Sequence, residues 1–169
     1  MNSNNMQGYR ITKYNPSYFG AGGAYLKDEW TSISDIGKVF AGEILTLAEY
    51  QRVEDAYIAA VKIFLDTAGV YSLQVLSVET REDTPPRWRL EEGQHVSLQK
   101  TIEICREMLQ EGPIWCRLEN GENSYVHIGY DYYMYIGVSI KADLRKAVDS
   151  VKKLGLFVEE NRLSPYHIS

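Results

Sequence analysis

Between Tyr125 and Ser139 the side chains alternate with a period of two. Val126, Ile128, Tyr130, Tyr132, Met134, Ile136 and Val138 share one parity, while Tyr125, His127, Gly129, Asp131, Tyr133, Tyr135, Gly137 and Ser139 share the other. Successive side chains of a strand point to opposite faces, so the run predicts β-structure with one apolar face that other elements must cover. Upstream, Ile114 to Glu119 leads through Asn120-Gly121-Glu122-Asn123-Ser124 into the same run, as a hairpin does. Pairing Leu118 with Val126 and Cys116 with Ile128 sets apolar against apolar. A slip of one residue puts Cys116 opposite His127 and loses the core pattern, so the first register is expected. It lines up Trp115, Arg117 and Glu119 with Tyr125 and His127. Period alone leaves open whether the run is one long strand or two joined by a tight turn near Tyr130-Asp131.

Three segments supply the covering layer. The first helix opens at Thr46-Leu47-Ala48-Glu49, a T-x-x-E capping box. Tyr50, Val53, Tyr57, Ala60, Val61, Phe64, Leu65 and Ala68 continue it as an apolar stripe, and Gly69 is its expected left-handed stop. A second helix runs from a Ser97 cap through Leu98, Ile102, Cys105, Met108 and Leu109 to Gly112-Pro113. A third, about 142–154, carries Leu144, Ala147, Val148, Val151 and Leu154, has Lys152 and Lys153 at the end the helix dipole favours, and stops at Gly155. Shorter β-rich runs lie at 9–14, 73–78 and 156–159.

The fold class expected is α+β: one domain over residues 9–169, with a mainly antiparallel sheet and three helices packed on it. Residues 1–8 are polar and read as a disordered tail. The loops at about 16–45 and 80–96 are too long for plain connections in a compact domain and are expected to be functional or to hold short elements.

Most familiar chemistries find no support in the residues. His95, His127 and His167 are scattered and the two cysteines are eleven positions apart, so no metal site is expected. Cys116 and His127 are the one Cys/His pair a hairpin could join, and the expected register puts them on opposite faces. Both cysteines then read as small buried hydrophobes. Gly20-Ala21-Gly22-Gly23-Ala24 lacks the Gly-Lys-Ser/Thr ending of a phosphate loop and reads as a plain loop. Adjacent carboxylates such as Glu54-Asp55, Glu82-Asp83 and Glu91-Glu92 are expected to be solvated. No cofactor is implied. Eighteen basic residues against 23 acidic give a net charge of −5, which disfavours nucleic acid and anionic membrane as partners. No apolar run reaches the ~18 residues of a membrane-spanning helix. The polar start has no secretory character, and with two thiols rather than a disulfide framework the chain is expected to be cytoplasmic.

Two features stand above this background. From Asp28 to Asp83 there are eleven acidic residues against Lys38, Arg52, Lys62 and Arg81, a local charge of −7. Such a field attracts a basic partner and speeds its encounter. The second feature is the aromatic-polar strand face, in a chain with 13 tyrosines. Tyr, Trp and Arg anchor protein interfaces, but the same tyrosines become core residues if another element covers them.

Several motifs together are similar to those of a known family. They are Tyr9-Arg10-Ile11-Thr12-Lys13-Tyr14-Asn15-Pro16, Asp28-Glu29-Trp30-Thr31-Ser32-Ile33-Ser34-Asp35-Ile36-Gly37, Trp115-Cys116-Arg117-Leu118-Glu119, Gly129-Tyr130-Asp131-Tyr132-Tyr133-Met134-Tyr135-Ile136-Gly137, Gly155-Leu156-Phe157-Val158-Glu159 and Ser164-Pro165-Tyr166. Over residues 9–166 the chain resembles a family of small uncharacterised bacterial proteins associated with the immunity proteins of toxin-immunity systems. The resemblance implies a non-enzymatic protein that binds and neutralises a cognate protein toxin in the producer's cytoplasm. It carries no site residues with it. From the residues themselves, Asp28, Glu29, Asp35, Glu54 and Asp55 are the expected electrostatic contacts, and Trp30, Tyr133 and Tyr135 the aromatic anchors. An acidic inhibitor of this kind would mimic phosphates if the toxin is a nuclease. A small enzyme or ligand-binding protein is the competing expectation. Its pocket would lie between the first long loop and the tyrosine-rich strands, around Asp35, Arg117, His127, Asp131 and Tyr133. The sequence leaves the oligomeric state open.

Overall fold

The computed structural model describes the chain apart from residues 1–5, 84–88, 122, 140, 168 and 169. Its strands are β1 (Met6–Thr12), β2 (Val39–Phe40), β3 (Glu43–Ile44), β4 (Ser72–Thr80), β5 (His95–Ser97), β6 (Ile114–Asn120), β7 (Ser124–Ile128), β8 (Met134–Ser139) and β9 (Phe157–Glu160); its helices are α1 (Leu47–Ala68), α2 (Leu98–Leu109) and α3 (Arg145–Lys153). Seven strands form one sheet in the order β5-β4-β6-β7-β8-β1-β9, and every pairing in it is antiparallel. β2 and β3 make a separate small hairpin inside the first long loop, which also holds short 3-10 turns at Pro16–Tyr18 and Ile33–Asp35.

Helices α1 to α3 pack on one face of the sheet and close the α+β core. Thr46 Oγ1 accepts the Glu49 amide at 3.1 Å, and Gly69 ends α1 at φ 69°. Only half of the capping box forms, because the Glu49 carboxylate turns outward to Arg52 at 2.6 Å. The apolar stripe of α1 is buried from Tyr50 to Leu65. Leu118 faces Val126, as the apolar parity requires, and Cys105 and Cys116 are buried free thiols.

Of the two alternatives the period leaves open, the long alternating run takes the second: two strands, β7 and β8, joined by a 3-10 turn at Tyr130–Tyr132 in which Asp131 (φ 57°) and Tyr132 (φ 65°) are left-handed. The turn breaks the parity, so Tyr130 leaves the apolar face and is 83% exposed. Residues 6–8 are not part of a loose tail: Met6, Gln7 and Gly8 pair with Ser139, Val138 and Gly137. α3 starts at Arg145 rather than near 142, since the Asp143 carboxylate accepts the Arg145 amide at 3.2 Å and turns the chain into the helix there. Finally, among the described residues no helix covers the second face of the sheet. The chain after β9 does, crossing it from Asn161 to His167. Arg162 N–H donates to Gly8 O at 3.0 Å, and Trp115 packs on Tyr166 with ring centroids 5.4 Å apart.

Candidate functional site

The residues expected to meet a partner do not form one exposed patch. Trp30 is only 5% exposed; its ring packs against Tyr50 (5.5 Å) and Tyr132 (5.1 Å), so it is a core residue and not a surface anchor. Glu54 is likewise buried, at 3% exposure, against the expectation of a free contact. Its carboxylate accepts Tyr50 Oη–H at 3.1 Å, Gln110 Nε2–H at 2.7 Å and the Arg106 guanidinium, so three donors replace the lost water. Asp55 is exposed and pairs with the same guanidinium at 2.9 Å. Asp35 caps the turn it ends, accepting the Thr31 amide at 2.9 Å and bonding Lys38 at 2.9 Å. Those contacts hold its carboxyl below the usual range against the opposing effect of burial. Glu29 pairs with Lys13 at 3.1 Å. Tyr133 and Tyr135 are half-buried, Tyr133 stacked on Tyr14 with centroids 5.1 Å apart. Asp28 is exposed and accepts the Ala41 amide at 2.7 Å, tying the β2–β3 hairpin to the loop.

Lys13 holds that loop down from inside. Its Nζ lies 4.0 Å from the Trp30 ring and 4.3 Å from the Tyr14 ring, and donates to Trp30 O at 2.5 Å. Burial pulls the amine down to about 8, against the opposing charge of Glu29.

Arg117 and His127 meet under the C-terminal crossing. His127 Nε2 lies 2.9 Å from Glu119 Oε1, and Nδ1 lies 2.7 Å from Ser164 Oγ. A carboxylate only accepts, so Nε2 carries the proton and Nδ1 accepts from the hydroxyl. Arg117 donates to Glu119 at 2.7 Å and to Tyr166 O at 3.3 Å, while Ser164 N–H donates to Tyr125 Oη at 3.0 Å. Burial, with Arg117 and His167 adding to it, pulls His127 down to about 3, so the ring is neutral. Serine, histidine and glutamate in series resemble a nucleophile with its relay. Here the histidine is fully buried and Ser164 is 5% exposed, so no substrate has an approach. The network is a clasp for the chain end.

Two hollows flank the Tyr130–Tyr132 turn. One, of about 310 Å³, lies between the first long loop and the turn, lined among others by Tyr14, Tyr25, Glu29, Asp131 and Tyr133. This is where the competing ligand-binding expectation places its pocket, but only Asp131 and Tyr133 of the expected groups reach it. The other, of about 340 Å³, lies where α2 stops; Trp115 on its wall belongs to the aromatic strand face read from sequence, whereas Glu79, Arg81 and Glu111 beside it were not expected to form a site. The four come from three separate segments, and no spacing joins them. Among the described residues no group of His, Cys, Asp and Glu converges as a metal site would, and no helix is long and apolar enough to cross a membrane.

Compared with protein-family models, curated proteins and solved structures, the chain has no significant match.

A different surface emerges from exposure. Among the described residues eight large apolar side chains are exposed, and five of them, Tyr18, Leu26, Val39, Ile44 and Leu47, lie in or next to the first long loop. Val39 and Ile44 are cross-strand partners in the β2–β3 hairpin, and Leu47 opens α1 three positions after Ile44. Asp28, Glu43 and Glu49 are exposed as well. A groove of about 180 Å³ runs along the hairpin between Asp28, Glu43, Ile44 and Glu49, and among the described residues no basic one lines it.

Proposed function

We propose that the protein is a non-catalytic immunity protein that docks a cognate toxin on the β2–β3 hairpin and the acidic groove beside it. The observation that carries this reading is the exposed apolar cross-strand pair Val39 and Ile44, with the carboxylates Asp28, Glu43 and Glu49 lining the groove beside Ile44. Exposed apolar side chains with a charged border are what protein interfaces bury, the apolar centre supplying affinity and the rim supplying steering. A toxin that binds phosphates presents a basic site, and carboxylates held in a groove oppose it in charge.

The test is co-expression with the product of the adjacent upstream gene. Growth rescue with a stoichiometric complex is expected, lost in Ile44→Asp and slowed in association by Asp28→Lys with Glu43→Lys. A harmless neighbour that forms no complex overturns the reading, and so does rescue unaffected by all three changes.

A further inference from the structure

The larger hollow is bounded by the end of α2, by the last residues of β4, by the start of β6 and by the Tyr130–Tyr132 turn. Met108, Leu109 and Ile114 give it an apolar floor. Trp115 stands half-buried in its wall with its indole N–H already committed to Ile128 O at 2.7 Å, so the side chain has no donor left to offer a ligand. Tyr130 projects at the rim. At about 340 Å³ the cleft is near the lower end of small-molecule sites, enough for one ring with a short chain.

Its wall carries more carboxylates than cations. Several carboxylates elsewhere are paired, Glu29 with Lys13, Glu49 with Arg52, Glu54 with Arg106, Glu119 with Arg117 and Glu159 with Arg10. Glu79, Glu111 and Asp131 line the cleft with no ion pair among the described residues, and Arg81 is the single cation on its wall. The C-terminal end of α2, which carries partial negative charge, forms the same wall. An apolar floor, a flat aromatic wall and an excess of uncompensated carboxylates have one complement: a positive group on a flat apolar body.

The geometry points to this cleft as a binding site for a small organic cation, an ammonium or guanidinium carried on one aromatic ring, with Glu111 and Asp131 facing the charge and Trp115 the ring. The site is separate from the hairpin surface proposed for a protein partner, and it stands or falls independently of that reading.

Phenethylamine and hydrocinnamate are matched probes, alike in ring and chain and opposite in charge. Titration of each, followed in amide correlation spectra of the full chain, should give saturable shifts at Gly112, Gly129 and the Trp115 indole with the amine alone. Glu111→Gln with Asp131→Asn should weaken that binding at least fivefold, while Asp66→Asn, on exposed α1, leaves it unchanged. The spectra of the variants report their folding directly, and the charge comparison on the wild type needs no variant. Equal shifts from the anion, no shifts up to about 10 mM amine, or an unchanged affinity in a folded double variant would each overturn the site.

Discussion

His127 and the two cysteines show what burial does to single ionisable groups. Folded, the imidazole takes a proton only near pH 3; unfolded, it does so near its ordinary 6.5. The unfolded chain therefore holds the extra proton between those values, and the stability His127 contributes is complete above pH 6.5 and lost as pH falls toward 3. The stability gap between wild type and His127→Gln, measured by urea unfolding, should shrink by at most about 1.4 kcal/mol per pH unit across that window and be constant above it. Burial acts the other way on thiols: it pushes Cys116 up to about 12, and Cys105 higher still, with each group kept neutral. Thiol reagents at pH 8 should label neither cysteine in the folded protein and both in denaturant. The buried state of Glu54 was open to a closer reading of the sequence. It follows Tyr50 by four positions and precedes Ile58 by four, a spacing that puts it on the buried flank of α1. Trp30 carried no such mark, because it sits in a loop and its burial depends on Tyr50 and Tyr132 coming from elsewhere.

Between elements, a polar relay and two glycines decide how the layers meet. Tyr132 Oη donates to Tyr50 Oη at 2.6 Å, and Tyr50 passes the chain of bonds to Glu54, which Arg106 and Gln110 hold from α2. Tyr57 Oη adds a bond to Tyr132 O at 2.9 Å, so the left-handed turn is fastened to α1 at two points. Glu54→Gln should cost about 1–3 kcal/mol, because donors in the relay lose their acceptor, whereas Asp55→Asn, exposed, should cost less than about 0.5 kcal/mol. On the opposite face Gly8 and Gly137 are paired across β1 and β8. A Cβ on Gly137 would lie 2.2 Å from the Tyr125 ring, and one on Gly8 would lie 2.7 Å from Arg162 O. Gly137→Ala should therefore cost about 1–3 kcal/mol by overpacking, read from the unfolding midpoint. The hairpin register and the helix caps were legible because parity and capping chemistry are local. The cover over this face was not: Asn161-Arg162-Leu163-Ser164-Pro165-Tyr166 has no period, and its meaning lies in the glycines, Tyr125 and His127 beneath it.

Taken as a whole, the molecule is a sheet with helices on one side and a single crossing of chain on the other. Stopping the chain after Asn161 would bare Tyr125, His127 and part of Trp115 together. Uncovering each large side chain costs about 1.5–3 kcal/mol, so the shortened protein should bind a hydrophobic dye and unfold at markedly lower denaturant. The groove at the β2–β3 hairpin lies apart from that crossing, and its lining residues should keep native chemical shifts in any shortened chain that stays folded. The position of β1 has a further consequence, in time rather than space. Its neighbours are Met134–Ser139 on one side and Phe157–Glu160 on the other, so the first strand made waits for nearly the last. On the ribosome Tyr9 and Ile11 stay wet until those segments clear the exit tunnel, and nascent chains arrested before Met134 should be cut by protease within β1 while released chains resist.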